Sequence, residues 1–144
     1  MLSPASWITW AALSACFAAL TAVFAKVGVQ DVDPDLGMAI RTVIVALLVV
    51  PFVIFAGKWS NPLVMPGRTL AFLALSALAT GASWLCYFRA LQLGDASLVA
   101  PVDKFSVVLV AMFAFIFLGE RPSGREWAGI GLMAAGLILI VFRR

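Results

Sequence analysis

From Leu36 to Gly57 the chain reads LGMAIRTVIVALLVVPFVIFAG. One ionisable side chain, Arg41, interrupts this run, and polar and apolar residues do not alternate along it. About 20 apolar residues, rising about 1.5 Å each in an α-helix, cross a hydrocarbon layer about 30 Å thick. Barrel strands are shorter and alternate in polarity. The run therefore predicts a membrane-spanning helix, whose backbone groups are paired within the segment.

Working outward, four similar runs flank it. The expected spans lie at about 6–28, 36–57, 69–93, 98–118 and 126–142. The expected fold is an all-α integral membrane protein with five transmembrane helices and one domain over residues 1–144. Composition agrees. Hydrophobic residues make up 64% of the 144, against roughly 45–50% in soluble domains, and charged residues 12%, about half the usual share. Mean hydropathy is +1.09. No Lys or Arg precedes Lys26, and the first run outlasts a signal-peptide core, so it reads as a retained span.

The connections are short. Gln30–Asp35 is an acidic turn in which Pro34 breaks the chain before the second helix. Lys58–Pro62 and Pro66–Arg68 flank the next connection. Gly94–Ser97 is a tight turn in which Ser97 suits a helix cap. Gly119–Gly124 forms the last loop. None of these loops holds a soluble domain.

Several function classes are disfavoured. The net charge is +3, but the basic residues are scattered at segment ends, where Lys and Arg meet headgroups, so no nucleic-acid partner is expected. The chain has no His, and Cys16 and Cys86 sit inside apolar runs as buried, unpaired thiols; no metal or other cofactor is expected. No catalytic residues are expected either, since no span carries paired carboxylates, and the chain is read as not an enzyme. It lacks a P-loop, so energy for any work across the membrane comes from gradients.

Orientation is finely balanced. One side carries Lys58, Arg68, Arg121 and Arg125; the other carries Lys26, Arg143 and Arg144. Counting Arg41, Arg89 and Lys104, which lie in or at the edge of spans toward the second side, reverses the excess. The positive-inside rule needs a decisive difference. A single fixed topology and a dual topology, with chains inserting both ways, both fit the charges.

Charges also lie within the spans. Lys26 ends the first and reads as a headgroup anchor. Arg41 opens the second, Arg89 closes the third, and Asp103 and Lys104 follow Pro101 in the fourth. A charge at the bilayer centre costs about 2.5–3.5 kcal/mol on insertion scales. These sit off-centre, where Lys and Arg can snorkel. Asp103 is too short to snorkel and is expected to meet Arg89 or Arg41, while Lys104 points about 100° away from it around the helix. Headgroup anchoring and a gating role for Arg41, Arg89, Asp103 and Lys104 both remain open on sequence.

Ser76, Thr80, Ser83 and Tyr87 recur at i, i+4, i+7 and i+11 on one face of the third span, with Trp84 beside them. The first span shows Trp10, Ser14, Phe17, Thr21 and Phe24 on a similar face. Hydroxyls mixed with aromatics suit a cavity wall that binds a polar or amphipathic solute. They equally suit helix–helix contacts. The last span carries Gly129, Gly131, Ala135 and Gly136, which permit close backbone approach.

Phe24–Gly28 closes the first span, Ala39–Thr42 opens the second, and Trp84–Leu91 is followed by Gly94–Ser97 and Val99–Lys104; Phe117–Glu120, Trp127, Gly129 and Gly136 come last. In this order and spacing the chain resembles a single five-helix repeat of the EamA-type family in the drug/metabolite transporter superfamily. Typical members carry ten helices as two inverted repeats. The resemblance implies that this chain is one inverted-repeat unit completed by a partner, as an antiparallel homodimer or with a sister chain. It also implies a multi-pass protein of a bacterial-type inner membrane.

The expected function is that of a secondary transporter (exporter, exchanger or flippase) of a small metabolite or an amphipathic, lipid-like solute, working by alternating access. The charge cluster would gate each face. The alternative is a non-transporting membrane scaffold or accessory subunit.

Overall fold

The computed structural model describes residues 4–142, all helical or loop with no strand among them. Arg143 and Arg144, counted above in the charge balance, lie outside the described residues. The helices are α1 (Pro4–Gly28), α2 (Pro34–Phe55), α3 (Gly67–Leu93), α4 (Ala96–Asp103), α5 (Ser106–Phe113) and α6 (Gly124–Val141). A 3₁₀ turn, Pro62–Val64, precedes α3, and a π-helical turn, Ala114–Leu118, continues α5. Taken with α4 and α5 as one stretch, five segments are long and apolar enough to cross a membrane. The all-α, five-span reading is thus what the chain forms.

Each helix start has a local cause. Asp33 caps α2, its Oδ1 accepting from the backbone N–H of Asp35 at 3.0 Å and of Leu36 at 3.1 Å. Pro34 therefore opens the helix rather than merely breaking the chain before it, since a first-turn residue has no N–H obligation to lose. Ser123 caps α6 in a reciprocal box with Glu126, which satisfies two orphan backbone donors. The expected cap at Ser97 is corrected. Asp95 is the N-cap of α4, with no side-chain cap bond, and Ser97 lies inside the helix.

The fourth span, expected at 98–118, runs from Ala96 to Leu118 but is not one continuous α-helix. At Lys104 and Phe105 the ladder tightens to 3₁₀ bonds: the Lys104 N–H reaches the carbonyl of Pro101 at 3.0 Å, and that of Phe105 reaches Val102 at 3.0 Å. Pro101 lacks the N–H that a continuous helix would use. The dihedrals at both residues stay in the right-handed helical region, so the chain turns more tightly without unwinding. Further on, the π turn ends at Gly119, whose φ of +69° is the left-handed value glycine tolerates.

The chain divides into two compact units, Met1–Leu93 and Gly94–Arg144. In the first, α3 packs on α2 and α1. Its buried residues are Ala22, Val29, Phe88 and Leu91, all at the end where α1 and α3 finish. Gly37, at the start of α2, faces the same place: a Cβ there would meet Val29 Cγ1 at 3.4 Å and Phe88 at 3.8 Å, in ordinary van der Waals contact. Elsewhere on these helices large apolar side chains are exposed, Trp10 at 68% and Phe17 at 66%. In the second unit α6 packs on α4 and α5, and Ala114 is the buried residue among those described. Cys16 and Cys86 are free but exposed, correcting the expectation of buried thiols; they stand on the open faces of α1 and α3.

Candidate functional site

The site of the first unit is built where α1 and α3 end and α2 begins. A helix leaves its last four carbonyls without intrahelical donors. Here the two finishing helices cap each other. Lys26 Nζ donates to the carbonyl of Leu91 at 2.6 Å, and Gln92 Nε2 donates to the carbonyls of Val29 at 3.5 Å and Val32 at 3.3 Å. Lys26, expected as a headgroup anchor from its place in the sequence, thus caps the end of α3. The buried Val29, Phe88 and Leu91 fill the space between, so the ends of α1 and α3 are fixed by packing and hydrogen bonds together.

Beside this plug Arg89 grips Asp35 in a fork: Nε to Oδ1 at 3.2 Å and Nη2 to Oδ2 at 2.6 Å. Both side chains remain well exposed. The geometry is the bidentate pairing for which guanidinium and carboxylate are matched. It ties the last turn of α3 to the first turn of α2.

Arg41, about two turns into α2, makes a different contact. Its guanidinium carbon lies 4.3 Å from the Trp84 ring centroid and 5.7 Å from that of Phe88. Both distances are within reach of cation–π attraction. Arg41 also lines a cavity of about 600 Å³, walled mainly by Thr21, Phe24, Val29, Ile40, Ile44 and Val45.

Of the residues singled out from sequence, the structure brings Arg41 onto Trp84 and sets Thr21 in the same cavity as Arg41. Trp84 and Tyr87 are half-buried. Trp10, Ser14, Ser76, Thr80 and Ser83 are exposed along α1 and α3 and do not line that cavity. The Thr80 hydroxyl donates to the carbonyl of Ser76 at 2.9 Å. Its proton is committed to its own helix, and only its acceptor side is free for a solute. In the second unit Asp103 pairs with its neighbour Lys104 at 3.3 Å. Lys104, expected about 100° away from Asp103 around the helix, is close enough to pair because the tight turn begins there.

Sequence reasoning missed Asp35, Gln92 and Phe88. Asp35 carried a signal, an acid in the first turn of a helix. Gln92 and Phe88 had none, because their roles depend on which helix lies opposite.

Residues 5–142 match the model of the EamA-like transporter family. The chain belongs to this family. It is 56% identical to an uncharacterized transporter in the cobO 3′ region of a Sinorhizobium species, over 94% of this chain and 96% of that protein. It is 24% identical to the Bacillus subtilis transporter YxxF, over 96% of this chain but 43% of the longer protein. Over 50% of this chain and 63% of the relative it is 33% identical to a Yersinia pestis protein described as a probable 4-amino-4-deoxy-L-arabinose-phosphoundecaprenol flippase subunit, ArnE. No solved structure matches. Family and spans together make this EamA-family chain a multi-pass membrane transporter.

Proposed function

We propose that this EamA-family chain is one half of a secondary transporter. It pairs with an oppositely inserted copy as an antiparallel homodimer and carries a small metabolite or an amphipathic solute by alternating access. The observation that carries the reading is the distribution of packing in the first unit. Burial is confined to the end where Val29, Phe88 and Leu91 meet, while the hydroxyl and aromatic faces of α1 and α3, including Trp10, Ser14, Ser76 and Ser83, stay exposed. Such faces suit the wall of a path that a second unit completes. YxxF, of which this chain covers 43%, leaves room for a second unit of this size in one polypeptide. Open space beside Gly129, Gly131 and Gly136 supports close approach by another backbone.

In this reading Arg89 with Asp35, and Asp103 with Lys104, are paired when a face is closed and hydrated when it opens. The 3₁₀ turn at Lys104 suits a hinge beside that second pair. No bond in the solute is made or broken, and gradients supply the energy. A sister chain in place of the second copy is the variant that the word subunit in the name of ArnE favours.

The test combines reporter tags on both termini with uptake and counterflow in proteoliposomes. Both tags reporting both sides of the membrane, and rates lowered by Asp103→Asn and by Arg89→Ala, are the expected results. A single orientation with no oppositely inserted partner removes the antiparallel pair. Unchanged rates in both folded variants remove the gate.

A further inference from the structure

Lys26, Arg41, Arg89 and Lys104 are not equivalent, and Arg68, in the first turn of α3, has a ring contact with Phe72 at 5.9 Å but does not line the cavity described above. Lys26 donates to a helix carbonyl, Arg89 holds Asp35, and Lys104 holds Asp103. Arg41 has neither a carboxylate nor a carbonyl partner among the described residues; its only contacts of this kind are the rings of Trp84 and Phe88. An aromatic ring attracts the charge without supplying the in-plane oxygen acceptors that a guanidinium fork pairs with. The five N–H donors of Arg41 therefore have no oxygen partner among the described residues. An Arg inside a spanning helix is costly unless its charge is answered.

The surroundings say what can answer it. The cavity Arg41 lines, of about 600 Å³, is within the size range of small-molecule sites, and apart from Thr21 and Arg41 its side chains are apolar. A free inorganic anion would satisfy the fork and leave the apolar wall unused. A neutral apolar molecule would fill the wall and leave the charge unanswered.

We propose that this cavity is a binding site for an amphipathic anion. A phosphate or carboxylate head is held by the guanidinium of Arg41, which lies over Trp84, and one apolar chain lies along Phe24, Ile40, Ile44 and Val45. This deepens the transport reading, on which it rests only for the fate of the ligand, by naming the solute as an anionic-headed, single-chain amphipath. A bare snorkelling arginine does not account for the site, because snorkelling needs no apolar cavity beside the charge and selects no chain.

The test is equilibrium binding to the purified chain in neutral detergent, with no gradient and no transport step. Failure of binding and failure of transport are therefore read separately. The probes are dodecyl phosphate, dodecanol and methyl phosphate, with phosphatidylglycerol as competitor. Saturable binding of dodecyl phosphate is expected, with dodecanol weaker by about tenfold or more and methyl phosphate weaker still. R41Q is expected to bring dodecyl phosphate down to the affinity of dodecanol. I44W, which adds bulk to the open cavity wall, is expected to weaken both chain-bearing probes. Should R41Q not yield folded protein, R41K, which keeps the charge and loses the fork, reads the same step with a smaller loss. Unaltered affinity in the arginine variant or in I44W overturns the proposal. So does methyl phosphate binding as tightly as dodecyl phosphate. Displacement by equimolar phosphatidylglycerol would assign the site to two-chain bilayer lipid and overturn it as a solute site.

Discussion

Lys26 on α1 donates its ammonium to the carbonyl of Leu91, in the last turn of α3, at 2.6 Å. Two helices that finish at the same end of the first unit are thereby joined where each lacks internal hydrogen-bond partners. Leu91 is fully buried, so water cannot easily replace the lost donor. Hydrogen bonds to charged groups contribute about 1.5–3 kcal/mol. Lys26→Met, which keeps the length and apolar stem, is expected to lose stability in that range, and Lys26→Arg less. Unfolding in mixed micelles measures it. A Met variant as stable as the parent would return Lys26 to the role of headgroup anchor.

The fork between Arg89 and Asp35 is exposed, and exposed pairs add little to stability. Its removal is expected to act on transport instead. Arg89→Ala and Asp35→Asn should each lower the rate several-fold with little change in unfolding. The exchange of the two residues, Asp35→Arg with Arg89→Asp, should recover part of the loss. Recovery is the informative result, since it cannot come from either charge acting alone on the solute.

How much of this was legible in the sequence follows from what each feature depends on. The helices were, because spanning length and apolarity are local; α2 and α3 differ from expectation by about one turn at most. The interruption at Lys104 was foreshadowed by Pro101, yet its form, a tight turn with no loss of helical dihedrals, depends on bonds that composition does not fix. The charges are legible as embedded residues, but the pairing of Arg89 with Asp35 is not. Asp35 was read as part of an acidic loop because the helix start was placed after it. Once Pro34 opens α2, Asp35 belongs to the helix and faces Arg89. The contact of Arg41 with the Trp84 ring was illegible for a plainer reason: 43 positions separate the two, and only the packing of α2 on α3 joins them.

The hydroxyls of α3 separate by what they already bind. Thr80 donates to the carbonyl of Ser76, whereas the Ser83 hydroxyl has no hydrogen-bond partner among the described residues. If this face contacts the solute, Ser83 is the better donor. Ser83→Ala is expected to lower uptake at subsaturating solute by about 2- to 10-fold, the loss of one ordinary hydrogen bond, and Thr80→Val by less. Equal, negligible effects would favour helix contacts over a solute path.

Glycines test the backbone directly, because the structure separates conformation from crowding. Gly57 and Gly119 have φ of +65° and +69°, and nothing stands within 4 Å of where a Cβ would be. Alanine at either position meets no clash but must hold a left-handed conformation, at a cost of roughly 1–2 kcal/mol. Gly131 in α6 also has open space, but its backbone is helical. There alanine removes the entropic penalty of glycine and should stabilise by up to about 1 kcal/mol. Unfolding of the three alanine variants should therefore show two losses and one gain. A loss at Gly131 would mean that another backbone lies against α6 in the membrane, as the antiparallel pair requires of at least one small-residue face.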